Sequence, residues 1–233
     1  MTGLRADAVL FDKDGTLFDF DAAWVAWTET MLARWAEGDA ARAAALAEAL
    51  GFDPVGRAFR PGSVVIASTT AEVAERVAEV LGVPAASLLD RINAEAARAP
   101  MVETVPLVPL LAGLAATGLR LGLATNDAEA PARAHLATAG VVGIFDFVAG
   151  SDSGHGGKPA PGMLLAFADH VGVAPARVVM VGDSTHDLEA GRAAGMQTVG
   201  VLSGHAGHDQ LAPLADAVLP DIGHLPDWLA GRT

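Results

Sequence analysis

The chain has 233 residues, 52% of them hydrophobic, with 15 lysines and arginines against 28 aspartates and glutamates, a formal charge of −13 and no cysteine. The length suffices to bury a sizeable core, and the charge argues against nucleic-acid binding and attachment to anionic membrane surfaces, which need clustered Lys and Arg. Absent cysteine removes disulfides, thiolate nucleophiles and Cys-based zinc sites, and Met1 to Val9 lacks a basic segment followed by an apolar export stretch, so a cytoplasmic location is expected.

Ala8 to Phe11 is a short apolar run that stops at Asp12-Lys13-Asp14-Gly15-Thr16, a buried strand entering a polar turn. Residues 19–100 have another rhythm, rich in Ala, Glu and Arg. Helical patterns cover Ala22 to Ala36, Ala40 to Leu50, Thr70 to Leu81 and Ala85 to Ala97, and Val64-Val65-Ile66 is the exceptional β-branched run. Next comes the most apolar stretch, Pro106 to Ala124, broken by Pro109, Gly113, Gly118 and Arg120, and nothing reaches the ~18 residues of a membrane helix. Strand-then-turn units then return. Leu119 to Ala124 ends in Thr125-Asn126-Asp127, Phe147 to Ala149 in Gly150-Ser151-Asp152, and Val178 to Val181 in Gly182-Asp183-Ser184, followed by Thr198 to Val201 and Ala217 to Leu219. Helical patterns at Glu129 to Ala139, Gly162 to Val171 and Asp187 to Ala194 separate them. The expected fold is therefore α/β, a Rossmann-like, doubly wound, mostly parallel sheet with an inserted helical domain. Residues 1–18 and 101–233 would form the core and 19–100 the insertion.

Ligands of open parallel sheets bind beyond the carboxyl ends of strands, so the polar clusters there are the candidate site. Asp12 and Asp14, two apart, can aim the same way, and two converging carboxylates need a bound metal or one raised pKa; a solvated Asp-Gly turn is the alternative. A calcium hand is out of register, because residues 16 and 17 are Thr and Leu. Thr125 and Asn126 could grip an anion or simply cap a helix. Only two of the 15 basic residues, Lys13 and Lys158, are lysines. Lys158 follows a glycine-rich stretch and precedes Pro159, where a compact ammonium can act as a point charge on one oxygen, or else be an exposed loop lysine. Asp183 and Asp187, four apart, open a helix and face one side, which helix capping also explains. The joint occurrence of these clusters beyond strands of one sheet is the signal that none gives alone.

The ordered set Asp12-x-Asp14-Gly15-Thr16, Thr125, Lys158-Pro159 and Gly182-Asp183-x-x-x-Asp187 resembles the four motifs of the haloacid dehalogenase superfamily. The insertion resembles its helical type 1 cap, closest in style to phosphoglycolate phosphatases. The resemblance implies a Mg²⁺-dependent phosphatase of a small phosphorylated metabolite, phosphoglycolate-like or a sugar phosphate, acting through an aspartyl phosphate. Asp12 would be nucleophile, Asp14 general acid and base, Thr125 and Asn126 phosphate holders, and Lys158 the charge that steadies nucleophile and phosphate. Asp12, the Asp14 carbonyl and Asp183 would bind the metal, with Asp187 supporting its shell. The resemblance also implies that Asp14 favours phosphate esters over carbon–halogen or phosphonate cleavage. Lys13, where related motifs usually carry an apolar residue, is expected to point away from Asp12 into a structural ion pair. His155, His186, His205 and His208 read as loop residues, although the last two could pair on a metal. A phosphoglycolate-like carboxylate would need a donor, for which Arg57, Arg60 and Ser63 of the insertion are the candidates. The rival readings are a sugar phosphomutase and a non-enzymatic phospho-acceptor switch. The implied partner is a small phosphate ester, and the oligomeric state is not legible.

Overall fold

The computed structural model describes residues 4–232; the first three residues, on which part of the export-signal reading falls, and Thr233 lie outside them. Short runs of Val, Leu and Ala make the strands. They are β1 (Ala8–Phe11), β2 (Phe52–Asp53), β3 (Ala58–Phe59), β4 (Arg120–Ala124), β5 (Phe147–Ala149), β6 (Val178–Gly182), β7 (Gln197–Val201) and β8 (Ala217–Leu219). Six of them form one sheet in the order β5-β4-β1-β6-β7-β8, with every pairing parallel. The expected strands all occur, with ends shifted by no more than one residue. Alternate residues serve opposite faces: Val9 and Phe11 join one apolar cluster with Leu121, Val179 and Val199, while Ala8 and Leu10 join another with Met163, Phe167 and Met180. Both faces are thus covered, as parallel sheets require. The chain steps from β1 to β4 on one side and crosses to β6 on the other, so the order reverses at β1 and a crevice opens at its carboxyl end.

The first half of the helices lies between β1 and β4. They are α1 (Phe20–Ala36), α2 (Ala40–Leu50), α3 (Val64–Ala67), α4 (Thr70–Leu81), α5 (Ala86–Ala96) and α6 (Leu107–Ala116). Caps mark their starts: Asp19 accepts from Ala22 N, Asp39 from Ala41 N, and Thr69 with Glu72 forms a capping box. Trp24, Trp27 and Met31 of α1, Leu46 of α2, Val73 of α4 and Ile92 of α5 close a separate apolar core. Three elements here differ from the sequence reading. The β-branched run Val64-Val65-Ile66 is the short helix α3, because the Ser63 hydroxyl accepts from Val65 N at 3.2 Å. A two-residue hairpin, β2 against β3, had no alternation long enough to read. Helix α6 was hidden by Pro106 and Pro109, but a proline in a first turn forfeits no helical hydrogen bond.

The remaining helices are α7 (Glu129–Thr138), α8 (Gly162–Val171), α9 (Thr185–Ala193), α10 (His208–Leu211) and α11 (Leu225–Leu229). No described helix is long and apolar enough to cross a membrane.

Candidate active site

The turn after β1 carries Asp12 to Thr16, with Asp12 anchored by its N–H to the Val181 carbonyl of β6 at 2.9 Å. Across it, Lys158 reaches from the connection before α8. Its Nζ lies 2.6 Å from Asp12 Oδ1 and 2.6 Å from Asp187 Oδ1, with all three groups buried. The backbone of Lys158 is held by the Asn126 side chain, which accepts from Lys158 N at 2.8 Å and donates to its carbonyl at 3.0 Å. Asp187 lies in the first turn of α9, and its Oδ2 accepts from Ser184 N and Ser184 Oγ. Thr125, buried at the end of β4, accepts from Asp127 N at 3.1 Å, which leaves its hydroxyl proton to give.

Asp12, Asp183 and Asp187 each place a carboxylate oxygen within 4.8 Å of the others. Burial pushes the Asp12 carboxyl up to about 7 against the pull of the Lys158 ammonium, and the Asp187 charge adds to the rise. Burial first, then the Asp187 and Asp12 carboxylates, hold Asp183 well above the usual carboxylate range. Lys158 is held above the usual lysine range: burial opposes its charge, but Asp12 and Asp187 outweigh it. Three carboxylates around one ammonium leave uncompensated negative charge, and an all-oxygen donor set of this size suits Mg²⁺. The residues present therefore fit a divalent cation. The cradle for Asp183 is glycine-lined. A Cβ at Gly15, whose φ is +74°, or at Gly204 would overlap the Asp183 carboxylate.

Lys13, fully buried, points the other way. Its Nζ lies 2.7 Å from Asp127 Oδ2, 3.2 Å from Asp14 Oδ2, 3.1 Å from His135 Nδ1 and 5.2 Å from the centroid of the Trp24 ring. The side chain thus turns away from Asp12 into ion pairs, as expected, and one of the two partners is Asp14. His135 Nε2 lies 2.8 Å from the Ala96 carbonyl. An acceptor at Nε2 and an ammonium at Nδ1 assign the ring as neutral with its proton on Nε2. Asp14 is thereby divided: Oδ2 faces Lys13, while the buried Oδ1 has no hydrogen-bond partner in the protein.

The helical insertion roofs this floor. Thr70 Oγ1 donates to Asp127 Oδ1 at 3.2 Å, and a cleft remains between roof and floor. Floor residues are Asp12, Asp14, Thr125, Asn126, Lys158, Asp183 and Asp187, so the structure brings together every core residue singled out from the sequence. The three roof candidates are not brought there. Arg57 is exposed and bound bidentately to Glu29 at 2.7 and 2.9 Å, Arg60 is exposed and pairs with Glu48, and Ser63 is buried, donating to the Leu50 carbonyl at 2.6 Å. Phe20, Trp24, Trp27, Val65 and Ile66 line the roof instead. None of these five was singled out from the sequence as a site residue. Ser203, which donates to the Gly15 carbonyl at 2.7 Å, was also missed. Its signal was available, since Ser203-Gly204 follows the end of β7 just as the other motifs follow their strands. His205 pairs with Asp21 at 3.2 Å and His208 with Asp209 at 3.7 Å, while His186 lines the cleft.

A model of the haloacid dehalogenase-like hydrolase family matches residues 6–195. The phosphoglycolate phosphatase of Rhodospirillum rubrum is 40% identical over 120 residues, 52% of this chain and 50% of that protein. The chain thus spans about half the length of the curated relatives it matches. Among solved structures, the HAD phosphatase from Thermococcus onnurineus superposes with a TM-score of 0.69 at 25% identity, covering 97% of this chain and 98% of that one. The HAD family hydrolase from Deinococcus radiodurans, solved with bound phosphate and sodium, superposes with a TM-score of 0.67 at 25% identity, covering 98% and 97%.

Proposed function

The chain belongs to the haloacid dehalogenase-like hydrolase family, and from that premise we propose that it is a Mg²⁺-dependent phosphatase of a small phosphorylated metabolite. One observation carries the reading: Lys158 Nζ sits 2.6 Å from both Asp12 and Asp187, with Asp183 completing an oxygen cluster within 4.8 Å, so remote motifs converge on one point. Asp12, Asp183 and Asp187 would hold the metal, whose positive charge, when bound, offsets the repulsion between a carboxylate and a phosphate dianion.

The protein's own groups supply the rest. Asp12 forms a bond to phosphorus while the ester P–O bond breaks, and protonated Asp14 gives its proton to the departing alkoxide. Its buried Oδ1, which has no hydrogen-bond partner in the protein, supports that role. Asp14 then takes a proton from the water that attacks the phosphorus of the aspartyl phosphate, releasing orthophosphate and restoring Asp12. Lys13 pairs with the other oxygen of Asp14, Oδ2, at 3.2 Å. Lys158 keeps Asp12 aimed, the Thr125 hydroxyl donates to the phosphoryl group, and Asn126 positions Lys158. Residues 19–100 act as the cap that excludes water during transfer.

The test is phosphate release from a panel of phosphorylated metabolites, with and without Mg²⁺, comparing the wild type with Asp12→Asn. The expected result is metal-dependent release that the variant loses; unchanged turnover in Asp12→Asn would remove the nucleophile.

A further inference from the structure

We propose that the cleft selects phosphate esters of uncharged alcohols that present an apolar face and a hydrogen-bond acceptor, with Trp24 and Trp27 as the selecting residues. This rests on the phosphatase reading and narrows its substrate away from carboxylate-bearing esters such as phosphoglycolate.

The first argument is charge. Among the described residues lining the cleft, Lys158 is the sole lysine or arginine, and it is already bound to two carboxylates. Asp12, Asp14, Asp127, Asp183 and Asp187 share that lining. Lys13 lies beneath, tied to Asp14 and Asp127, and Arg57 and Arg60 are engaged on the exposed side of the insertion. His186, the other titratable base at the cleft, stands on α9 next to Asp187, on the floor. A divalent cation and Lys158 are matched to the phosphoryl dianion. A second anionic group on the leaving alcohol would meet an apolar roof and a surplus of acids, an unpaired charge in a poorly solvated place.

The second argument is the roof itself. Trp24 and Trp27 line the cleft, each only 7% exposed, and neither indole Nε1–H has a hydrogen-bond partner. Buried N–H groups without acceptors are rare because each forfeits its hydration, so two on adjacent turns of one helix wall point to an acceptor delivered from outside. The rings are pre-set. Trp27 meets Trp24 edge-on at 5.4 Å and 82°, and the Lys13 ammonium lies over the Trp24 ring at 5.2 Å. Phe20, Val65 and Ile66 supply the apolar surface beside them. Such a wall suits a ring or hydrocarbon face bearing a carbonyl, amide or hydroxyl oxygen.

Three non-hydrolysable benzylphosphonates, differing only in a para carboxamide, carboxylate or methyl group, test this with the Mg²⁺-loaded 233-residue chain. Affinity is read from tryptophan fluorescence or calorimetry. The carboxamide should bind tightest, and the carboxylate on the order of a hundredfold more weakly, since an unpaired charge costs more than a lost neutral hydrogen bond. Trp24→Phe and Trp27→Phe keep the aromatic wall but remove the N–H. At least one should lose about tenfold more affinity for the carboxamide than for the methyl compound, the scale of one net hydrogen bond. Carboxylate binding as tight as carboxamide, or both variants binding the carboxamide like wild type, would overturn the proposal. Turnover of the corresponding phosphate esters by wild type and Asp12→Asn is scored separately: it decides the phosphatase reading, whereas the order of phosphonate affinities decides the selectivity.

Discussion

Replacing Lys13 by Met removes the single ammonium on which Asp14 and Asp127 both depend. The lysine is fully buried, and the two carboxylates are only 16% and 8% exposed, so water cannot take its place. Breaking a buried pair from one side costs about 3–5 kcal/mol, because the partner is left as an uncompensated charge. For a chain of this size each kcal/mol moves Tm by about 2–4 °C, which gives a fall of about 6–20 °C. The pH dependence has a definite sign. Burial pushes the Lys13 ammonium toward neutrality, but Asp127 and Asp14 outweigh it and hold its pKa above 10.5. A base whose folded pKa is raised contributes fully below its unfolded value, so the gap between wild type and Lys13→Met should be constant from about pH 7 to 9 and close only above about 10.5. Urea unfolding followed by tryptophan fluorescence across that range measures it. The double variant Lys13→Met with Asp127→Asn should recover part of the loss, which a mutant cycle resolves. A single-variant loss below about 1 kcal/mol would equate this network with an exposed salt bridge and refute the reasoning.

Lys158→Arg should stay folded yet lose about a hundredfold or more in kcat, because a planar guanidinium cannot place one donor 2.6 Å from two facing oxygens; steady-state phosphate release decides it. Gly15→Ala should cost about 1–3 kcal/mol for its positive φ and weaken Mg²⁺ binding by displacing Asp183, which thermal melts and calorimetric titration report separately. Burial, with the Lys13 charge beside it, holds the His135 pKa below 6.5. Below pH 6.5 the unfolded chain therefore binds a proton that the folded one refuses. Wild type should lose stability between pH 7.5 and 5.5 relative to His135→Gln, and parallel curves would show that the ring carries no such linkage.

The parallel sheet was legible because strands buried on both faces, such as Val178-Val179-Met180-Val181, are continuous apolar runs cut short by polar turns. Its motifs were legible for a related reason: Asp12, Thr125 and Asp183 stand at the same place relative to their strands. Elements whose structure depends on one local bond were not. Val64 to Ala67 turns on the Ser63 cap, and α6 tolerates its prolines only through their position in the first turn. The cap candidates failed by composition-blind reasoning about charge. Arg57 and Arg60 have carboxylate partners within the insertion, at Glu29 and Glu48, that sequence distance concealed. Trp24 and Trp27 escaped notice because a residue facing a cleft and one facing a core share the same helical periodicity.

Lids inserted into a common sheet invite exchange between proteins, as interchangeable parts that retarget one catalytic floor. Here the ammonium of Lys13 is wired to three helices of the roof: to α1 through Trp24, to α4 through Asp127 and Thr70, and to α5 through His135 and the Ala96 carbonyl. A foreign lid grafted onto this floor would leave Asp127 Oδ1 and His135 Nε2 without the partners that Thr70 and the Ala96 carbonyl supply, unless positions 13, 127 and 135 were changed with it. Modularity in this protein therefore runs along a hidden seam, and a chimera designer should cut around the buried cation rather than at the insertion points.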